Sequence, residues 1–271
     1  MMEMLSGRWG IRDVKSRKDR TMAAPIALQL YTLREAMADD FEGVVRKVAD
    51  IGYVGVEPAG FPGTTPEAAS SLFKELGLEV TSAHVPLPVG EGKQETLDTA
   101  NALGIKRLLS GKGRDDYSSH DKIKATSDLF NEASEIAVAN GMTFGIHNHW
   151  WEYLEVEGRY AYQVMLEHLN PEVFFQIDAY WVQTAGPDPA AVIQELGARA
   201  PLIHIKDGPC VRDEPMQALG EGITDFHQVV AAGEYADWWI VELDRCATDM
   251  MEAVVKSYTY MVDNGFAWGN K

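Results

Sequence analysis

The chain has 271 residues, 46% of them hydrophobic, enough for one large core, and no Ser/Gly/Pro-rich linker or low-complexity tract divides it. A formal charge of −17, from 41 acidic and 24 basic side chains, sets the surface against phosphate backbones and anionic lipid, so neither nucleic acid nor membrane is an expected partner. The two cysteines, Cys210 and Cys246, are too few for a disulfide framework or a thiolate zinc site, which fits a reducing, cytoplasmic setting, and no apolar run approaches the roughly 20 residues of a membrane span.

In chain order, residues 1–24 carry Arg8, Arg12, Lys15, Arg17, Lys18 and Arg20 against Glu3, Asp13 and Asp19, without the apolar centre of a signal peptide. They read as a partly ordered N-terminal extension ahead of a single domain over 25–271. The first strand is IALQLY (26–31). From there one unit recurs: an amphipathic helical stretch, a glycine, then a short β-rich run that ends in a polar residue. It reads ADIGYVGVE (49–57), KELGLEVTSAH (74–84), NALGIKRLLS (101–110), VANGMTFGIH (138–147) and QELGARAPLIH (194–204). The glycines stand where a helix needs a left-handed residue before the chain turns into a strand. With EVFFQID (172–178) and WWIVEL (238–243), the count is eight strands alternating with helices. That predicts an α/β fold, a (β/α)8 TIM barrel. An open doubly wound sheet is the competing topology, but no Gly-x-Gly-x-x-Gly turn follows the first strand.

The predicted strands end in Tyr31, Glu57, His84, Ser110, His147, Asp178, His204 and Glu242, and in a barrel these ends converge on one mouth. Taken singly, each is as readily a surface carboxylate or a satisfied core histidine. Taken together, Glu152, Asp178, His204 and Glu242 place three carboxylates and an imidazole around one point. Their mutual repulsion calls for a divalent cation, with Mn²⁺ expected first and Mg²⁺, Co²⁺ or Zn²⁺ compatible. Glu152, Glu242 and His149 are candidate proton carriers, and Lys206, two residues beyond His204, a candidate oxyanion partner. Glu57, His84, His147 and Trp181 are candidate substrate contacts, Trp181 offering a ring to the C–H face of a sugar. Of Trp150 and Trp151, one is expected in the core. His-Asn-His (147–149) also spells a nuclease motif, but that needs a nucleic-acid surface. The loop LGEGITDF (219–226) carries a faint phosphate-binding signature.

With these residues assembled, the chain resembles the xylose-isomerase-like TIM-barrel superfamily, the sugar phosphate isomerase/epimerase group, in its His-Asn-His branch related to inosose dehydratase. IALQLYTLRE, GYVGVEPAG, FGIHNHWWEY, FFQIDAYWV, LIHIKDG, LGEGITDF and WWIVELD carry the likeness over residues 25–265. The resemblance implies one divalent metal held by Glu, Asp, His and Glu at the barrel mouth. Asp178, His204 and Glu242 match the last three. The first belongs at the end of the fifth strand, where this chain has His147, so either Glu152 reaches the ion or His147 replaces it, and Glu152 is preferred. Epimerases place a histidine three residues after the Asp, where Trp181 stands here. The implied activity is sugar isomerisation or epimerisation through an enediolate, with a dehydratase or β-eliminase on a keto-cyclitol or keto-glycoside as the alternative. The expected ligand is a neutral sugar, keto-sugar or cyclitol, since no Arg/Lys cluster beyond Lys206 and Arg245 marks a phosphate. An apurinic-site endonuclease and a sugar-binding subunit without catalysis are the competing classes, and Phe266 and Trp268 permit a homo-oligomer.

Overall fold

The computed structural model describes residues 23–271, so residues 1–22 of the predicted extension lie outside the described residues. The barrel strands are β1 (Ile26–Gln29), β2 (Gly55–Glu57), β3 (Glu79–Val80), β4 (Ala83–His84), β5 (Arg107–Ser110), β6 (Thr143–His147), β9 (Phe174–Asp178), β10 (Leu202–Ile205) and β11 (Trp238–Val241). A short hairpin, β7 (Glu155–Val156) and β8 (Arg159–Tyr160), stands apart from them. The barrel order is β3-β2-β1-β11-β10-β9-β6-β5-β4, parallel throughout. Its two ends, β3 and β4, belong to one run, Glu79–His84, interrupted at Thr81 and Ser82. Its first half pairs with β2 and its second with β5. The eight expected strand positions are therefore present, with the third bent so that each half finds a different neighbour.

Local chemistry sets the helix ends. The helix Phe41–Ile51 opens on Asp40, whose carboxylate accepts from the Gly43 amide, and buries Val44, Val45 and Val48 on one face. Thr65 caps the helix Pro66–Glu75, with proline in the first turn, where no intrahelical amide bond is lost. The helix Lys93–Leu103 closes on Gly104 at φ 70°, which a side chain would strain. The other four junction glycines also have positive φ, as the repeated unit predicts.

One expectation fails at the start. The first strand stops at Gln29, not Tyr31, because the Gln29 side chain accepts from the Tyr31 amide and turns Leu30–Leu33 into a 3-10 helix. Tyr31 is left 41% exposed on the rim.

The barrel interior is layered. At the end where the strands begin, Phe174, Leu202 and Trp238 join Ala27, Val54, Leu109 and Ile240 in an apolar plug. Gly55 and Gly145 make room for it: a Cβ on Gly55 would lie 2.6 Å from the Trp238 ring, and one on Gly145 would overlap Phe174. Arg107 and Asp237 pair beside the plug. Above it the interior turns polar.

Candidate active site

Inward-facing residues sit two apart along each strand, so every strand end has a partner one layer below. Glu57, at the end of β2, occupies that lower polar layer and is fully buried. Its Oε1 accepts from Gln29 Nε2 at 2.7 Å and its Oε2 from Gln176 Nε2 at 2.6 Å, with Ser82 also on Oε2. Gln176 Oε1 accepts from His147 Nδ1 at 2.9 Å and from His84 Nε2 at 2.7 Å. These roles are mutually consistent: they fix the Gln176 amide and leave His147 Nε2 as the nitrogen with the lone pair.

His204 joins this layer to the mouth. Its Nε2 donates to Glu57 Oε1 at 2.7 Å and its Nδ1 to Glu242 Oε2 at 2.8 Å. Burial disfavours charge on the ring, but the two carboxylates outweigh it and push His204 up to about 10. Burial would likewise raise Glu57, yet His84 and His204 hold it well below the ordinary carboxylate range. His147 has burial and three neighbouring imidazoles against it, so it is held neutral, well below the usual histidine range.

At the top of the barrel, His147, Asp178, His204 and Glu242 each offer a ligand atom, all within 4.8 Å of one another and all buried. Two nitrogens and two carboxylates suit Zn²⁺, Co²⁺ or Mn²⁺. One observation supports the fit: Asp178 Oδ2 is buried without a hydrogen bond. Its Oδ1 caps the helix Ala179–Ala185 through the Trp181 amide at 2.9 Å. Lys206 Nζ, 2.9 Å from Oδ2, is a charge partner out of line for a hydrogen bond. The Glu57–His204 contact is the carboxylate–histidine arrangement that orients metal-ligating imidazoles. His84, His147 and His204 form a second, overlapping group of potential ligands.

Glu152, preferred from sequence as the first ligand, is not in either group. It lies in the 3-10 turn Trp151–Tyr153, where its Oε2 accepts from the His149 amide at 2.9 Å. Its Oε1 is buried without a hydrogen bond, 3.8 Å from His149 Nδ1. His147 stands in its place among the grouped ligands. The middle residue of His-Asn-His is a clasp: Asn148 Oδ1 accepts from the Asp178 amide at 2.9 Å, tying the β6 loop to β9.

Above the group opens a cavity of about 570 Å³, lined by His84, His147, His149, Trp181, Lys206, Glu242 and Asp244 among others. Of the expected substrate contacts, Glu57 alone lies below this lining. His149 is stacked on Trp151 at 4.1 Å and borders the cavity. Trp151 is anchored by its indole N–H to the Lys112 carbonyl, whereas Trp150 packs toward Tyr180 and Trp181.

The 219–226 loop does not present free amides. Asp207, fully buried, accepts from Gly220, Gly222 and Thr224 amides at 2.8, 3.0 and 3.1 Å, so an internal carboxylate takes the place a phosphate would need. Sequence reasoning also missed Gln29, Gln176 and Asp244. The first and second stand two residues before a named strand end, and that spacing was the available signal.

A parallel barrel with a carboxylate–imidazole cluster at its mouth defines a class, and the sequence match places the chain within it. Residues 45–256 match the xylose isomerase-like TIM barrel family, and the chain belongs to it. An inosose dehydratase from Erwinia tasmaniensis is 22% identical over 82% of this chain and 89% of its own. A sugar phosphate isomerase/epimerase from Parabacteroides distasonis superposes with a TM-score of 0.78 at 23% identity, covering 92% of this chain and 96% of that one. The IOLI protein, solved with a bound zinc atom, superposes at 0.69 with 15% identity, over 90% of this chain and all of its own. No helix among the described residues is long and apolar enough to cross a membrane.

Proposed function

We propose that the protein is a divalent-metal-dependent enzyme acting on a small sugar, keto-sugar or cyclitol, an isomerase or epimerase that moves a proton on the carbon next to a carbonyl. The observation that carries this reading is the buried group His147, Asp178, His204 and Glu242, placed at the floor of an open cavity with polar and aromatic walls. These four residues would hold the ion. When bound, it would polarise a carbonyl and a neighbouring hydroxyl and offset the charge that develops as the proton leaves.

The remaining roles fall to side chains around the cavity. His149, 35% exposed and fixed on Trp151, is placed to carry a proton to or from substrate, and Glu152 holds its loop from behind. Glu242, directly after β11, borders the same cavity. Trp181, 7% exposed with its ring near Lys206, offers a flat apolar wall for a sugar face. His84, held by Gln176, presents a polar edge to hydroxyls.

A second reading is a lyase that expels a β-leaving group. His149 on the cavity wall favours it, because elimination needs an acid for the departing oxygen, and the inosose dehydratase relative supports it. The test begins with elemental analysis: about one equivalent of divalent metal is expected in the wild type, lost in Asp178→Ala and His204→Ala. Ketoses and keto-cyclitols are then followed by NMR in D2O. Deuterium gained with all other atoms retained indicates isomerase or epimerase, and release of water or an alcohol indicates lyase. A wild type that takes up no metal after incubation with Mn²⁺ overturns the proposal.

A further inference from the structure

We propose that Lys206 is a tethered cation that occupies the carboxylates of the ion site until a divalent ion arrives, and that Asp244 is the berth to which it withdraws. This rests on the metal-site reading above. The Lys206 ammonium lies 2.9 Å from Asp178 Oδ2 and 2.7 Å from Glu242 Oε2, two members of the four-residue group. Its third carboxylate, Asp244 Oδ2 at 2.7 Å, is outside that group, 28% exposed on the cavity edge. The ammonium and a divalent ion therefore compete for the same two carboxylates, and at this depth two cations cannot share them closely.

Asp178 and Glu242 are each needed by the ion, whereas Asp244 is not. The contact to Asp178 is out of line for a hydrogen bond, while that to Asp244 is a directed one. A lysine stem has four flexible carbons, so the ammonium can keep Asp244 while leaving the other two. Withdrawal would carry it along the Trp181 ring, now 5.5 Å away, to the substrate side of the mouth. The same side chain thus offsets the mutual repulsion of Asp178 and Glu242 and, once displaced, becomes a cation facing the ligand. Asp244 acts through Lys206 and is a positioning residue.

The experiment is Mn²⁺ titration by calorimetry of chelator-stripped full-length protein: wild type, Lys206→Met, Asp244→Asn and the double variant. Removing the competitor should tighten Mn²⁺ binding about tenfold in Lys206→Met, and removing the berth should weaken it about tenfold in Asp244→Asn. The double variant should match Lys206→Met, because Asp244 has no effect once Lys206 is gone. Stripped Lys206→Met should also melt below the stripped wild type and recover with Mn²⁺. Weaker binding in Lys206→Met, or a loss from Asp244→Asn that persists in the double variant, overturns the inference. If Lys206→Met does not fold, the Asp244→Asn arm decides it, with unchanged affinity as the refuting result. A wild type that binds no Mn²⁺ refutes instead the metal-site reading beneath.

Discussion

In the proposed ion site, His204 is the side chain on which ion, proton and fold would meet. Its two nitrogens are both spent on carboxylates, and those carboxylates push it up to about 10, so without an ion the ring is a buried imidazolium at neutral pH. A metal ligand must offer a lone pair, so if His204 holds the proposed ion, binding has to expel that proton. His147 releases none, since burial and its imidazole neighbours already hold it neutral, and Lys206 keeps its own because three carboxylates outweigh the burial that would lower it. The sign follows: affinity rises with pH, by about tenfold per unit, until the medium reaches the His204 value. Mn²⁺ titrations at several pH values between about 6 and 8, in buffers of different ionisation enthalpy, should show one proton released per ion, as this linkage requires. An affinity independent of pH would contradict the state assigned to His204. The sequence showed His204 as a strand-end histidine, but not this condition, which depends on Glu57 reaching across from a strand 147 positions away.

The elements differ in how far their sequence exposed them. Strand ends were readable because each carries a polar residue directly after an apolar run, and seven of the eight lie within one residue of the end of a strand. The exception, Tyr31, was overruled by one local hydrogen bond from its amide to Gln29. Loops were less readable, since their groups pair with whatever lies opposite in space. The 219–226 loop looked like a phosphate cradle only because its partner, Asp207, stands in a different phrase of the chain. That carboxylate is expected to bear much of the loop's stability. Asp207→Ala would take this shared partner from the amides of Gly220, Gly222 and Thr224, the last of them buried, a loss of roughly 2–5 kcal/mol. A melting temperature lowered by many degrees in thermal denaturation would show it, and a shift below about 2 °C would count against it. Glu152 stands outside the grouped ligand atoms for a related reason: five residues past a strand end suffice to reach the mouth, but the 3-10 turn sets its Oε2 against the His149 amide.

At the scale of the whole molecule, the barrel is closed below and open above. Phe174, Leu202 and Trp238 stop the lower end, and the stopper needs glycine opposite it. Gly145→Ala is therefore expected to destabilise the fold by about 1–3 kcal/mol through overpacking against Phe174, measurable as a lower urea midpoint. An unchanged midpoint would mean that the ring can swing aside. The repeated helix–glycine–strand unit had announced the architecture, whereas the bend at Thr81 and Ser82, which lets one run serve two neighbours, left no mark in composition or spacing.

The stopper also makes the mouth a room with one door. Whatever enters last would stand between the floor and the solvent, so on the proposed function an ion seated beneath a bound sugar would have no exit until the sugar had gone. Loading would then have an order, ion before sugar, and unloading would reverse it. Product would depart through the same doorway that the next substrate needs, and the two would exclude each other.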